Sequence, residues 1–318
     1  SGRIGGASWV HVLAGGVTVV ATSAGEWVHC GRVFSAAEIA DLCATVAWLP
    51  GLARKELAAT VCEHLGWTTL TGTAKISACL EFLERLQAAG LLALPAVRPS
   101  PARRSAPAAA PVEPVAEPPV HGTLSALGPV SLEVVRDPPV VALWDALVAR
   151  WHPLGFQGAF GYRLRYFITA GELRLGCVLL SGAARAVAVR DAWIGWTAQA
   201  RRQNLPRVLN NSRFLIFPHV RVPHLASHVL GQLARRARSD WLEHWGFEPL
   251  LLESFVDPRQ HAGTCYRAAG WQLLGETSGR GLARPGRTYH STPRQVWVKP
   301  IGRDGRDRLN ALTGLSRP

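Results

Sequence analysis

The stretch Val220-Arg221-Val222-Pro223-His224-Leu225-Ala226-Ser227-His228-Val229-Leu230 decides the fold. It leaves a strand, turns at Val-x-Pro and opens a long helix, predicted over Leu225–Trp245 from its apolar spacing. The strand before it is read at Arg213–Phe217. Earlier still, Leu164–Ile168 and Leu173–Leu180 flank the turn Ala170-Gly171-Glu172 and read as a strand pair. After the long helix come an apolar strand at Leu250–Phe255, a short helix at Thr264–Ala269, and strand-like segments at Trp271–Gly275 and Val296–Val298. An apolar-periodic helix, Pro139–Trp151, precedes them all, and Ala192–Trp196 reads as one more strand. Residues 123–318 are thus expected to form one α/β domain around a central mixed sheet.

Upstream, residues 95–122 carry Pro95, Pro99, Pro101, Pro107, Pro111, Pro114, Pro118 and Pro119 among Ala and Val. A Pro/Ala-rich stretch of this kind extends as a semi-rigid spacer, so it marks a domain linker. Residues 1–94 are expected to form a separate module. Trp9–Leu13 and Val17–Val20 flank Ala14-Gly15-Gly16 as a hairpin. Ser35 with Glu38 makes a capping box, and Ile39, Leu42 and Val46 follow at helical spacing. Further helices are read over Arg54–His64 and Ala74–Ala89, with Leu91–Leu94 as a short strand. Three helices and a strand give the order of a winged helix, or of a plain three-helix domain. In the first case the third helix is the reader, presenting Lys75 and Ser77 to DNA, with Thr73 and Arg85 beside them. Glu81 and Glu84 keep that whole face from lying in a groove. The fold class is therefore α+β: a winged-helix-like domain linked to an α/β domain.

The 318 residues carry a net charge of +13, nearly all from Arg, since Lys occurs only at 55, 75 and 299. Excess positive charge attracts nucleic acid or an anionic surface, and Arg forks suit phosphate. A GC-rich genome gives the same Arg bias. No apolar run is long enough to span a bilayer, and no leader pattern opens the chain, so a cytoplasmic protein is expected. The six cysteines match no zinc spacing and read as buried free thiols. His224 and His228 share a helix face, but neither a Glu between them nor a third ligand makes a metal set.

The order of elements resembles the GCN5-related acetyltransferase superfamily. Val220–Leu230 stands where that superfamily places its pyrophosphate-binding turn, and Cys265-Tyr266-Arg267-Ala268-Ala269-Gly270-Trp271-Gln272-Leu273-Leu274-Gly275 resembles its Tyr…Gly segment. The resemblance implies acetyl-CoA or another acyl-CoA as cofactor, held by backbone amides from Val222 through Leu225, Ala226, Ser227 and His228. The turn carries no glycine, and Leu225 is the residue least suited to close approach. At family level, four segments are similar to a bacterial family that includes protein A of the Druantia anti-phage system and relatives preceding transposase domains. They are Asn210–Ile216, Val222–Leu230, Glu253–Pro258 and Gly263–Trp271. His152-Pro153-Leu154-Gly155, Asp191-x-Trp193-Ile194-Gly195-Trp196, Arg54-Lys55-Glu56-Leu57 and Leu65-Gly66-Trp67 belong to the same likeness. The likeness implies DNA, and other defence or transposition proteins, as partners. With no transposase domain before the end at Pro318, a stand-alone protein is expected.

Several residues are candidates for chemistry. Glu253, ending an apolar strand, is either a general base or ion-paired to Arg213 or Arg267. Tyr266 is a general acid in the superfamily pattern, or core. Asn210, Asn211 and Arg213 form a substrate or structural clamp, or an Asn-rich turn. Cys265 is a weaker candidate nucleophile. Arg280, Arg284, Arg287 and Arg294, spaced by Gly, suit a phosphate-contacting loop or a solvated basic face. The function expected is that of a DNA-associated protein of defence or mobile elements. The alternatives are an acyl-CoA-dependent N-acyltransferase and a non-catalytic module recruiting a helicase or transposase.

Overall fold

The structure, a computed structural model, describes residues 9–13, 17–21, 27–69, 73–96, 118–156, 161–279 and 292–311. The chain divides into two compact units, one within residues 1–99 and the other within 100–311.

The first unit opens with two hairpins, β1 (Trp9–Leu13) with β2 (Val17–Ala21) and β3 (Trp27–His29) with β4 (Arg32–Phe34). Three helices follow: α1 (Ala36–Trp48), α2 (Arg54–Leu65) and α3 (Ile76–Ala88). The Ser35 side chain accepts from the Glu38 amide, and Glu38 closes the capping box on the Ser35 amide. Phe34, Leu42, Leu57, Cys62, Trp67, Cys79, Phe82 and Leu83 form the core. Phe34 and Phe82 stack at 4.2 Å, with Trp67 set edge-on to both. The strand expected at Leu91–Leu94 is not formed. Among the described residues no strand follows α3 in this unit, so the hairpins precede the helices and the winged-helix order is not met.

The second unit begins inside the stretch expected as linker, because β5 (Val120–His121) pairs in parallel with β10 (Val220–Arg221). Its elements then run α4 (Leu124–Leu127), β6 (Ser131–Val135), α5 (Pro138–Trp151), β7 (Arg163–Ala170) and β8 (Leu173–Gly182). Next come α6 (Ala188–Ile194), α7 (Ala198–Asn204), β9 (Val208–Ile216) and, after β10, α8 (Leu225–Trp245). The unit ends with β11 (Leu251–Val256), α9 (Thr264–Ala268), β12 (Gln272–Glu276), β13 (Gln295–Pro300) and α10 (Gly305–Asn310). Ala192–Trp196, expected as a strand, is instead the end of α6, which Gly195 stops at φ +78°.

Seven strands form one sheet in the order β12-β13-β11-β9-β8-β7-β6. Every neighbouring pair is antiparallel except β9 with β11, which is parallel. That parallel pairing runs only from Leu251 opposite Val208 to Glu253 opposite Asn210. Beyond it β9 stays with β8 as far as Ile216, and β11 stays with β13 as far as Val256. The sheet therefore opens a wedge between β9 and β11. The register of β8 and β9 shifts between Leu179 and Leu180, where β9 holds an extra residue, Ser212. An extra residue bends its strand, which is the local cause of the opening.

The 21-residue α8 buries Leu225, Val229, Leu233, Ala237 and Trp241, one face at a spacing of four. Around α6 a second cluster joins Val187, Ile194, Val208, Leu251, Val298 and Leu309. Asn204 donates to the carbonyls of Leu309 and Ala311, tying α10 to α7.

Candidate active site at the parting of the sheet

Asn211 and Ser254 are the first residues past the last paired register of β9 and β11. Tyr266, from α9, reaches across them. Its hydroxyl lies 2.9 Å from Ser254 Oγ and 3.3 Å from Asn211 Nδ2. Ser254 Oγ is also 3.2 Å from the Asn211 carbonyl oxygen. The donors settle the direction: Asn211 Nδ2 donates to the phenol oxygen, Tyr266 donates to Ser254, and Ser254 donates to the Asn211 carbonyl. Burial pushes the Tyr266 phenol above its ordinary value, so it stays protonated. Asn211 Oδ1 is buried and has no hydrogen-bond partner. An unsatisfied buried acceptor is costly.

These residues line a cavity of about 590 Å³ in the wedge. Trp151, His152, Phe214, His261, Cys265 and Arg294 are also in its wall. His152 Nδ1 accepts from the Leu154 amide at 3.2 Å, so Nε2 carries the proton. Burial, with Arg213 and His261 adding to it, lowers the imidazole to about 4. The Asp257 carboxylate is held by Arg259 through its backbone amide, Nε and Nη2. That pairing lowers it to about 2. Burial raises the Cys265 thiol, which makes it a poor nucleophile.

A second, shallower groove of about 740 Å³ lies at the start of α8 and shares Ile216, Ala226, Thr264 and Cys265 with the first. Val222, Leu225, Ala226 and Ser227 line it. His228 does not; it is exposed, with Nε2 2.9 Å from Gln232. His224 precedes the helix at φ +65° and offers no side-chain cap. The Leu225 amide bonds the Val222 carbonyl, and His228 is the first to bond back to His224. The amides of Ala226 and Ser227 are then the ones with no intrahelical acceptor. Leu225 is 1% exposed, so its side chain is spent on the core and does not fill the groove.

The general-base expectation for Glu253 is corrected by its surroundings. Glu253 and Arg190 are both fully buried, and Oε2 accepts from Arg190 Nη1 at 2.8 Å while Oε1 accepts from the Ala184 amide. The partner is Arg190, not Arg213 or Arg267. Arg190 also holds Asp191, which pairs in turn with Arg201. Arg190 was not singled out in the sequence, because its partner lies 63 residues away. Asn210 and Asn211 lie inside β9, not in a turn, and Arg213 donates to the carbonyls of Gly155 and Ser212. Ser254 was also missed; its signal was a small polar residue beside Glu253 in a strand apolar at its other positions.

Of the residues expected on DNA, Lys75 stands at the start of α3 and Ser77 is exposed on it. Arg85 is engaged, donating to the Val28 carbonyl and to His29 Nδ1. Arg280, Arg284 and Arg287 lie outside the described residues, whereas Arg294 is in the cavity wall. Among the described residues, His29, Cys30 and Glu81 are the group whose ligand atoms come within 4.8 Å of one another. One ring nitrogen of His29 is already taken by Arg85. No helix among them is long and apolar enough to cross a membrane.

The profile of a family described as "Druantia protein DruA" matches residues 114–285. No curated protein matches the chain. Solved structures similar to it include an acetyltransferase of Bacillus subtilis in complex with CoA, at 9% identity and a TM-score of 0.31, covering 54% of this chain and 99% of that one. A spermidine N-acetyltransferase chimera from Vibrio cholerae is 10% identical with a TM-score of 0.36, covering 57% and 99%. An aminoglycoside acetyltransferase in complex with coenzyme A and kanamycin is 13% identical with a TM-score of 0.35, covering 57% and 98%. Similarity at this level does not carry an activity over.

Proposed function

The chain belongs to the Druantia protein DruA family, and from that premise we propose that its second unit is an N-acyltransferase serving bacterial anti-phage defence. The observation that carries the reading is the Tyr266–Ser254–Asn211 chain at the parting of β9 and β11, with the unpartnered Asn211 Oδ1 beside it. The groove at α8 fits the diphosphate of an acyl-CoA: the two free amides are on small residues, and the helix dipole favours negative charge there. Such a thioester supplies an activated acyl group, whose transfer exchanges its C–S bond for a C–N bond and one amine proton for a thiol proton. Asn211 Oδ1 orients an N–H of the acceptor. The Tyr266 O–H, turned from Ser254 toward the wedge, donates to the developing thiolate, and the proton released by the amine restores it. Glu253 only braces β11 against α6.

The test is calorimetric binding of acetyl-CoA to the full chain, followed by thiol release with a panel of amines. We expect micromolar binding, and turnover lowered about 10²-fold in Tyr266→Phe with binding unchanged. No binding of acetyl-CoA, or equal turnover in Tyr266→Phe, overturns the reading.

The charge of +13 favours a second reading, in which the chain also docks on DNA. Lys75 and Ser77 at α3 and the Arg-rich segment around residues 280–294 are the contacts proposed. A recruited defence or transposition protein is the further partner this context suggests.

A further inference from the structure

We infer that His152 is a further catalytic residue, whose Nε2–H donates to the thioester carbonyl oxygen, the atom that gains negative charge as the amine adds. The inference rests on the acyltransferase reading. His152 lies in the wall of the wedge cavity together with Asn211, Ser254 and Tyr266. It is the residue on which α5 ends, and its amide donates to the Val148 carbonyl at 3.0 Å. Pro153 follows and keeps His152 out of helical conformation. The chain then turns tightly. The Gly155 amide donates back to the His152 carbonyl at 2.7 Å, and the Leu154 amide donates to the ring at Nδ1. Arg213 closes this loop onto β9, its Nε donating to the Gly155 carbonyl at 3.1 Å. The half-buried ring is thus held by its own loop and by the strand that carries Asn211.

That loop decides what the imidazole does. A backbone N–H only donates, so Nδ1 keeps its lone pair and the proton of the neutral ring sits on Nε2. A general base or a metal ligand at Nε2 needs that nitrogen bare, which puts the proton on Nδ1 against the Leu154 N–H. An imidazolium needs a proton there too, and no carboxylate among the described residues pairs with the ring to stabilise it. What remains is a neutral donor, the form in which an imidazole polarises a carbonyl. Nε2 makes no hydrogen bond among the described residues and is not sealed from solvent. Its complement in the proposed reaction is the thioester carbonyl oxygen, because the lone pair of the amine is engaged in attack. The proton stays on Nε2 throughout, and Tyr266 keeps its part at the leaving sulfur. The charged groups around the ring agree with a neutral form. Arg213 from β9 and His261 from the loop after β11 both disfavour the cation, Arg294 lines the same wall, and Asp257 is taken by Arg259 at 2.9 Å.

Measurements on the full chain test this, and the first two need no amine. Infrared spectroscopy of carbonyl-labelled acetyl-CoA reads the hydrogen bond at that oxygen. We expect the carbonyl band to fall in frequency on binding to wild type. The fall should be lost in His152→Ala, with the calorimetric affinity for acetyl-CoA unchanged. Nitrogen NMR of wild type with labelled histidine reads the tautomer, His152 being assigned as the signals missing from His152→Gln. We expect Nε2 protonated and Nδ1 bare at neutral pH, a result that does not depend on either variant keeping its fold. With the amine panel, turnover in His152→Ala should fall about 10²-fold. The inference is overturned if the band shifts equally in His152→Ala, if turnover there matches wild type, or if Nδ1 carries the proton. Acetyl-CoA bound with a carbonyl band indifferent to His152 sinks this inference alone; no binding of acetyl-CoA sinks the acyltransferase reading and this inference with it.

Discussion

Arg190 and Glu253 show how a single contact redirects the meaning of a residue. A carboxylate at the end of an apolar strand suggests a base, but with both oxygens occupied and no exposure it is a brace. Breaking such a pair leaves a buried charge uncompensated, which costs about 3–5 kcal/mol. Arg190→Met should lower stability in urea by that amount, and Arg190→Met with Glu253→Leu should recover much of it. A Glu253 acting as base would instead move the pH profile and spare stability. His152 carries a prediction of its own. Its folded value of about 4 lies below the ordinary 6.5, so the folded ring refuses a proton that the unfolded chain accepts. Stability is lost as pH falls from about 6.5 toward 4, and none is lost on this account above that window. His152→Gln should show a flatter melting temperature across that range; parallel curves for the two proteins would refute the assignment.

At the scale of elements, the site depends on how α9 is seated. Gly263 precedes it at φ +70°, and a Cβ there would lie 2.5 Å from the Trp297 indole. Glycine is required twice over, by backbone and by contact. Gly263→Ala should cost about 1–3 kcal/mol and displace Tyr266, read as loss of acetyl-CoA turnover larger than the loss of fold by circular dichroism. The bulge at Ser212 does the complementary work on β9. Together they set Tyr266 across the wedge, with Asn211 on one strand and Ser254 on the other.

For the whole molecule, charge is the property to test. Some of the Arg side chains of the second unit are already paired: Arg165 with Asp145, Arg201 with Asp191, Arg236 with Asp240, and Arg238 with Glu248. A duplex bound by the remaining excess should dissociate with salt, log K falling by about 0.9 per phosphate neutralised for each decade of salt. Binding that persists unchanged from low to high salt would count against DNA docking by charge. The buried tryptophans Trp144, Trp241 and Trp297 are core, which leaves Trp151 as an aromatic surface at the cavity.

The sequence alone determined α8, because its apolar residues recur every four positions and strong periodicity needs no partner to be read. The capping box at Ser35 is likewise local chemistry. The same local reading failed at α6, where a short apolar run around Trp193 and Ile194 does not distinguish strand from helix. It failed too at Leu91–Leu94, since a strand exists only when another strand pairs with it. The site was half legible. Tyr266 and Asn211 could be named, but their contact spans 55 residues, and Ser254 enters only where β11 parts from β9. Only the tertiary structure decided which polar residues meet, because ion pairs and cavities are made between segments that the sequence keeps far apart.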